Sequence, residues 1–198
     1  MDHRRKSEIE VSGIVTPDHL GGHLYRTHVD RGALEYLVRT FDIATMLDVG
    51  CGPGGMHEVA ESLGIVWVGV DGDPIFKDRN NIILHDFCNG PLSTYITHTD
   101  LVWSVEFLEH VDEIYLPNVM SSINRASVAV VTAAPPGYPG HHHVNCRPQD
   151  YWIGAFATIG MRFDSVRTAK LREASTMRKP FMQSTGMLFT SSNARLLS

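Results

Sequence analysis

The sequence predicts a single-domain α/β fold: a doubly wound, mostly parallel sheet with helices on both faces. Three observations carry this expectation. Thr45-Met46-Leu47-Asp48-Val49 is apolar and β-prone, Gly50, Gly52, Gly54 and Gly55 follow it, and a helical pattern starts directly after; strand, glycine-rich turn and helix in that order form the phosphate- and nucleoside-cradling corner of such folds. Short apolar runs then alternate with stretches of helical periodicity, as in parallel sheets with crossover helices. Finally, the chemically distinctive segments fall at strand ends, where ligands of open parallel sheets sit.

Taken in order, residues 1–12 are polar and expected to fray. Residues 21–29, Gly21-Gly22-His23-Leu24-Tyr25-Arg26-Thr27-His28-Val29, form a loop dense in polar and aromatic groups. Asp30 reads as an N-cap, because Leu34, Leu37, Val38 and Phe41 fall at i, i+3, i+4 and i+7 on one helical face. The first strand is Thr45–Val49; its helix carries Met56, Val59, Ala60 and Leu63 at the same spacing and closes at Gly64. Residues 65–70 are apolar apart from Gly69, a pattern of burial on both faces, and end at Asp71-Gly72-Asp73-Pro74. Ile82–Leu84 is a short third strand followed by His85-Asp86-Phe87, and 101–105 a fourth followed by Glu106-Phe107-Leu108-Glu109-His110-Val111. The next helix presents Leu116, Val119, Met120 and Ile123, with Pro117 in its first turn, and 128–132 is the fifth strand. The loop 133–147 holds Pro135-Pro136-Gly137, Pro139-Gly140 and His141-His142-His143-Val144-Asn145; Pro148 opens a helix ending at Gly160. Residues 161–163 and Met187–Thr190 are candidate strands, and what lies between them carries no readable pattern.

The totals narrow the function. A chain of 198 residues fits one domain, and a net charge of −5 argues against a nucleic-acid surface spread over the whole protein. A local basic stretch (Arg167, Lys170, Arg172, Arg178, Lys179) reads either as a polyanion contact or, more simply, as a solvated surface. Cys51, Cys88 and Cys146 are scattered, which suits a reducing compartment and offers no disulfide or zinc framework. The first residues lead into no signal-type apolar region and no run reaches the ~18 apolar residues of a membrane span, so the expected location is cytoplasmic.

Gly50-x-Gly52-x-x-Gly55 satisfies the dinucleotide fingerprint, which keeps a nicotinamide-dependent oxidoreductase in view. The more telling form is Asp48-x-Gly50-x-Gly52-x-Gly54. With it the chain resembles the class I S-adenosylmethionine-dependent methyltransferases, particularly their broad small-molecule group, over about residues 30–132. The resemblance implies a Rossmann-like methyltransferase fold, S-adenosylmethionine as cofactor and S-adenosylhomocysteine as product. It assigns Asp48, Gly50, Cys51 and Gly52 to the loop beneath the cofactor's methionine part. Asp71, with Gly72, matches the acid that ends strand two and takes the ribose diol; a carboxylate offers acceptor oxygens to two adjacent hydroxyls. Asp86 and Phe87 match the acid and apolar wall near the adenine. The run 106–111 is similar to a Glu-x-x-Glu-His-Val motif lining the methyl group, which puts Ser104 and Glu106 on the cofactor side and Glu109 on the acceptor side. No Asp/Asn-Pro-Pro-Tyr tetrapeptide follows strand four and no Pro-Cys pair occurs, which weakens a reading as a nucleic-acid base methylase. Within this resemblance, 1–29 is an N-terminal loop or lid, 30–132 the cofactor-binding core, and 133–198 the acceptor loop and C-terminal elements.

Methyl transfer often requires a base, and neutral His is the natural one at cellular pH. His110 is the first candidate, against a capping or packing role. His142 and His143 are further catalytic candidates, with His141 and Asn145 as acceptor contacts; a loop-structuring role and metal binding are the alternatives, and because no Asp, Glu or Cys partner at ligand spacing is evident nearby, no metal is expected. Tyr25 and His28 are candidate acceptor contacts and Arg26 a partner for the methionine carboxylate, against a plain capping loop. The expected reaction is methyl transfer to O or N of a small-molecule or carbohydrate-like acceptor. The rivals are an NAD-dependent oxidoreductase, a cofactor-binding module without turnover, and an RNA methyltransferase working through the basic stretch.

Overall fold

A computed structural model of the chain describes residues 16–20, 22, 25–94 and 96–197. The expectations for residues 1–12, Gly21, His23 and Leu24 lie outside these. Among the described residues one sheet contains β1 (Thr45–Val49), β2 (Val66–Asp71), β3 (Ile82–Leu84), β4 (Thr99–Ser104), β5 (Ala126–Val131), β6 (Arg162–Phe163) and β7 (Met187–Thr190). Their spatial order is β3-β2-β1-β4-β5-β7-β6. β1 to β5 are parallel, and β7 runs antiparallel to both its neighbours. The sheet grows outward in both directions from the β1–β4 pair, and that reversal opens a crevice at the carboxyl ends of the strands.

The helices are α1 (Arg31–Thr40), α2 (Met56–Ser62), α3 (Leu116–Ile123), α4 (Gln149–Thr158), α5 (Ser165–Ala174) and α6 (Phe181–Thr185). Two apolar layers form on either side of the sheet. Leu34, Leu37, Met56, Val59, Leu171 and Met182 pack with Met46, Leu101 and Trp103 on one face. Val119, Met120, Ile123, Trp152 and Phe156 pack with Leu47, Val102 and Val131 on the other. The alternation of Met46 with Leu47 and of Leu101 with Val102 between the two layers is the period of two that strand geometry imposes.

Local chemistry sets the boundaries. Asp30 caps α1 by accepting the Ala33 N–H at 3.1 Å, and the same buried carboxylate takes the Thr176 N–H at 2.8 Å, tying α1 to the chain after α5. β4 begins two residues before its apolar run: the Asp100 carboxylate accepts both the Ala44 and Thr45 N–H groups, which anchors a polar start to β1. Gly64, φ +75°, follows α2 as expected.

Strict strand–helix alternation fails in two places. β2–β3 and β3–β4 are joined through single 3-10 turns, Pro74–Phe76 and Phe87–Asn89, because Gly72, Pro74, Gly90 and Pro91 break these short connections before a helix can nucleate. β2 is also less covered than its composition predicts. Val66 is 65% exposed, since the three-residue β3 pairs only with Gly69–Asp71 of β2. The unreadable stretch contains α5 and α6; α5 buries only Thr168 and Leu171, too few apolar residues to draw a stripe. Two of the five basic residues there serve the fold: Arg167 pairs with Asp164, and Arg172 donates to the Gly186 carbonyl and to Gln149.

Candidate cofactor and acceptor cleft

The glycine loop folds back over the end of β2. Gly50, Gly52 and Gly54 have φ of +74°, +52° and +79°, a region open to glycine at little cost. The Gly50 and Cys51 N–H groups both donate to the Val70 carbonyl, at 2.9 and 3.1 Å. A Cβ on Gly50 would lie 2.4 Å from the Phe107 ring, so glycine here lets the segment after β4 rest directly on the loop. The third glycine of the dinucleotide pattern does not present a free N–H at the start of α2, because Gly55 donates to Thr27 Oγ1 at 3.0 Å.

Asp48 and Asp71 have different partners. Asp71, not Asp48, accepts from the loop backbone: Oδ2 takes the Gly52 N–H at 2.8 Å and Oδ1 the Asp73 N–H at 2.9 Å. Asp48 points instead into the layer beneath, where Trp67 Nε1–H donates to it at 3.2 Å. Burial, set against that hydrogen bond and reinforced by the charge of Asp71, raises the Asp48 carboxyl to about 7. Between its unfolded pKa of ~3.9 and about 7 the folded chain holds a proton that the unfolded chain has released, so this group's contribution to stability declines as pH rises through that window. Asp48→Asn is therefore expected to gain stability over the native chain at pH 8 relative to pH 5 in urea titrations; an equal difference at both pH values would refute the raised pKa.

A cleft of about 270 Å³ opens above these groups. Arg26, His28, Asp48, Gly50, Cys51, Gly52, Asp71, Gly72, Asp86, Phe87, Glu106, His110, His141 and His143 line it, together with His19, Leu20 and Thr27, to which the sequence reading assigned no role. Asp86 Oδ1 accepts the Cys88 N–H at 2.9 Å and Oδ2 lies 2.9 Å from His19 Nε2. Burial would raise this carboxyl, but those hydrogen bonds, together with the Cys88 side chain and the charge of His19, outweigh it and hold it below the usual carboxylate range. No local pattern marks His19, because its partner Asp86 lies 67 positions along the chain.

At the far end, Glu106 has φ +54°, a conformation rare outside glycine. Its N–H donates to Thr132 Oγ1 and the Thr132 hydroxyl donates back to Glu106 Oε1, each at 2.8 Å. Burial raises the Glu106 carboxyl against that bond. Glu109 is fully buried just beneath the cleft; Oε1 accepts the Ala134 N–H at 3.1 Å. Burial, then the charge of Glu106, pushes its carboxyl up to about 8. His110 is pulled down to about 4 by burial and then by His143, which keeps its imidazole neutral.

Five predicted residues do not line the cleft. Ser104 is buried, donating to the Val49 carbonyl at 3.0 Å and stitching β4 to β1. Glu109 lies under the cleft as described, and Asn145 is buried with its Oδ1 accepting from Arg147. His142, φ +45°, turns its ring toward Asp112, with Nε2 3.9 Å from Oδ2. Tyr25 is half-exposed at φ +56°. Glycines that admit close contact, carboxylates at two strand ends and the apolar walls of Phe87 and Phe107 suit an adenosine carrying a positive charge, and Arg26 suits a carboxylate.

A methyltransferase-domain family model matches residues 47–127. Solved structures share the architecture. A S-adenosylmethionine-dependent methyltransferase from Archaeoglobus fulgidus is 20% identical, with TM-score 0.52 over 65% of this chain and 66% of that one. A TehB-like one from Corynebacterium glutamicum is 21% identical, with TM-score 0.53 over 75% and 80%. The CcbJ methyltransferase from Streptomyces caelestis is 10% identical, with TM-score 0.59 over 81% and 88%. At these identities the structural likeness speaks for the fold. No curated protein sequence matches the chain. Among the described residues no helix is long and apolar enough to cross a membrane. The matched region begins just before the glycine loop, and the sheet order and the cleft at the carboxyl ends of the strands agree with the fold of the S-adenosylmethionine-dependent methyltransferases that the chain resembles.

Proposed function

We propose that the protein transfers a methyl group from S-adenosylmethionine to an oxygen or nitrogen of a small-molecule or carbohydrate-like acceptor. The observation that supports this most is that one cleft is lined both by Asp71, Asp86 and the glycine loop and by Glu106, His110, His141 and His143. S-adenosylmethionine supplies an activated methyl group on a sulfonium, so the protein's task is binding, alignment and exclusion of water. In this reading Asp71 holds the ribose hydroxyls, Asp86 and Phe87 the adenine, and Arg26 the methionine carboxylate. Glu106, His110, His141 and His143 form the acceptor end, and their lone pairs hold an acceptor's O–H or N–H in line. His19, Leu20 and Gly22, from the segment before α1, cover the cleft as a lid.

Calorimetric titration with S-adenosylhomocysteine and with NAD is the primary test: binding of the first and not the second is expected, and the reverse would overturn the reading. Methyl release over a panel of small hydroxylated and amino acceptors separates an enzyme from a binding module. His110→Ala is expected to lower turnover by at least about tenfold with little change in S-adenosylhomocysteine affinity, because a displaced acceptor loses alignment without loosening the cofactor. Equal losses in both would move His110 to the cofactor end.

A further inference from the structure

We propose that Glu109, His110 and His143 bind a divalent transition-metal ion that holds an oxygen atom of the acceptor. The three residues each bring one ligand atom to within 4.8 Å of the other two. Donors on a single tetrahedral ion at 2.0–2.1 Å stand ~3.3 Å apart, a difference that side-chain rotation closes.

Glu109 is the residue that asks for such a partner. It is 0% exposed, and while Oε1 accepts the Ala134 N–H, Oε2 has no hydrogen-bond partner. A buried polar atom left unpaired is costly, and retained ones commonly mark an ion or ligand. The backbone brings the remaining ligands to it. The Glu109 carbonyl accepts the N–H groups of both Val144 and Asn145, at 3.0 Å each, which pins the histidine loop to the segment after β4. The rings of His110 and His143 then meet edge to face with centroids 4.9 Å apart. His143 Nδ1 lies 3.0 Å from the Tyr138 carbonyl. A carbonyl only accepts, so Nδ1 carries the proton and Nε2 the lone pair, the kind of backbone contact that orients metal-binding histidines.

One carboxylate and two imidazoles form a donor set suited to zinc and its transition-metal neighbours rather than to magnesium or calcium. Three protein ligands also leave a coordination position for an acceptor oxygen. His110 and His143 then act on the acceptor through the ion. The ion's purpose rests on the methyltransferase reading of the cleft; its binding does not.

The test is calorimetry on untagged, EDTA-treated protein titrated separately with Zn²⁺, Mn²⁺ and Mg²⁺, and independently with S-adenosylhomocysteine. One equivalent of Zn²⁺ or Mn²⁺ is expected, weakened more than about tenfold in both Glu109→Gln and His143→Ala, with S-adenosylhomocysteine binding retained. Gln preserves the acceptor for the Ala134 N–H, and His143 lies on a partly exposed loop, so both variants are expected to fold. No binding of either transition ion, a preference for Mg²⁺, or binding that survives both substitutions would overturn the site. Binding lost in Cys88→Ser instead would do the same, since it would place the ion at His19, Asp86 and Cys88, which also lie within reach of one another. Failure of the native chain to bind S-adenosylhomocysteine would remove the proposed function and leave the metal result standing.

Discussion

Asp71→Ala is expected to abolish measurable binding of S-adenosylhomocysteine while the chain stays folded. Two losses combine. In the proposed mode the carboxylate accepts from two ribose hydroxyls, and a hydrogen bond to a charged group is worth ~1.5–3 kcal/mol, so one such bond costs about tenfold to a hundredfold and two cost more. The same carboxylate takes the Gly52 and Asp73 N–H groups, so its removal also frees the two loops that shape the cleft. The fold survives because β2 is held by its ladders to β1 and β3, and the Asp71 carbonyl still accepts the His85 N–H. Asp71→Asn is a sharper probe: its amide keeps one acceptor oxygen but turns donors toward groups that donate. Unchanged affinity in a folded Asp71→Ala protein would remove the ribose assignment.

Gly50→Ala is expected to lose cofactor binding and about 2–5 kcal/mol of stability, lowering Tm on the order of 10 °C. Part of this is the cost of a side chain at φ +74° and part is the approach of its Cβ to within 2.4 Å of Phe107. Gly64→Ala separates the two. Gly64 has nearly the same φ, +75°, and nothing within 4 Å of its Cβ position, so it pays backbone strain alone and keeps its ligand. Equal melting temperatures for the two variants would show that Phe107 yields without cost.

Much of the proposed cofactor end of the cleft was legible because it is local. The glycine loop, the acids after β2 and β3, and the caps at Asp30 and Gly64 each declare themselves within a few residues of sequence. The proposed acceptor end was not. His19 meets Asp86 across 67 positions of sequence, and His143 meets His110 only because the Glu109 carbonyl gathers a distant loop. Ser104 and Asn145, candidate ligand contacts by sequence, are buried outside the cleft lining for a related reason. A polar residue at a strand end or in a loop can turn toward ligand or toward backbone, and local pattern does not choose between them.

By itself the sequence determined the class of fold, the first five strands to within a residue or two and the glycine loop, since backbone propensity, periodicity and the steric freedom of glycine act over short spans. Tertiary structure alone decided that Asp48 is buried against Trp67 while Asp71 organises the loop, that α5 and α6 form at all, and that Glu109, His110 and His143 meet. Those outcomes depend on which distant groups share a low-dielectric interior, where each buried donor or acceptor needs a partner from another part of the chain.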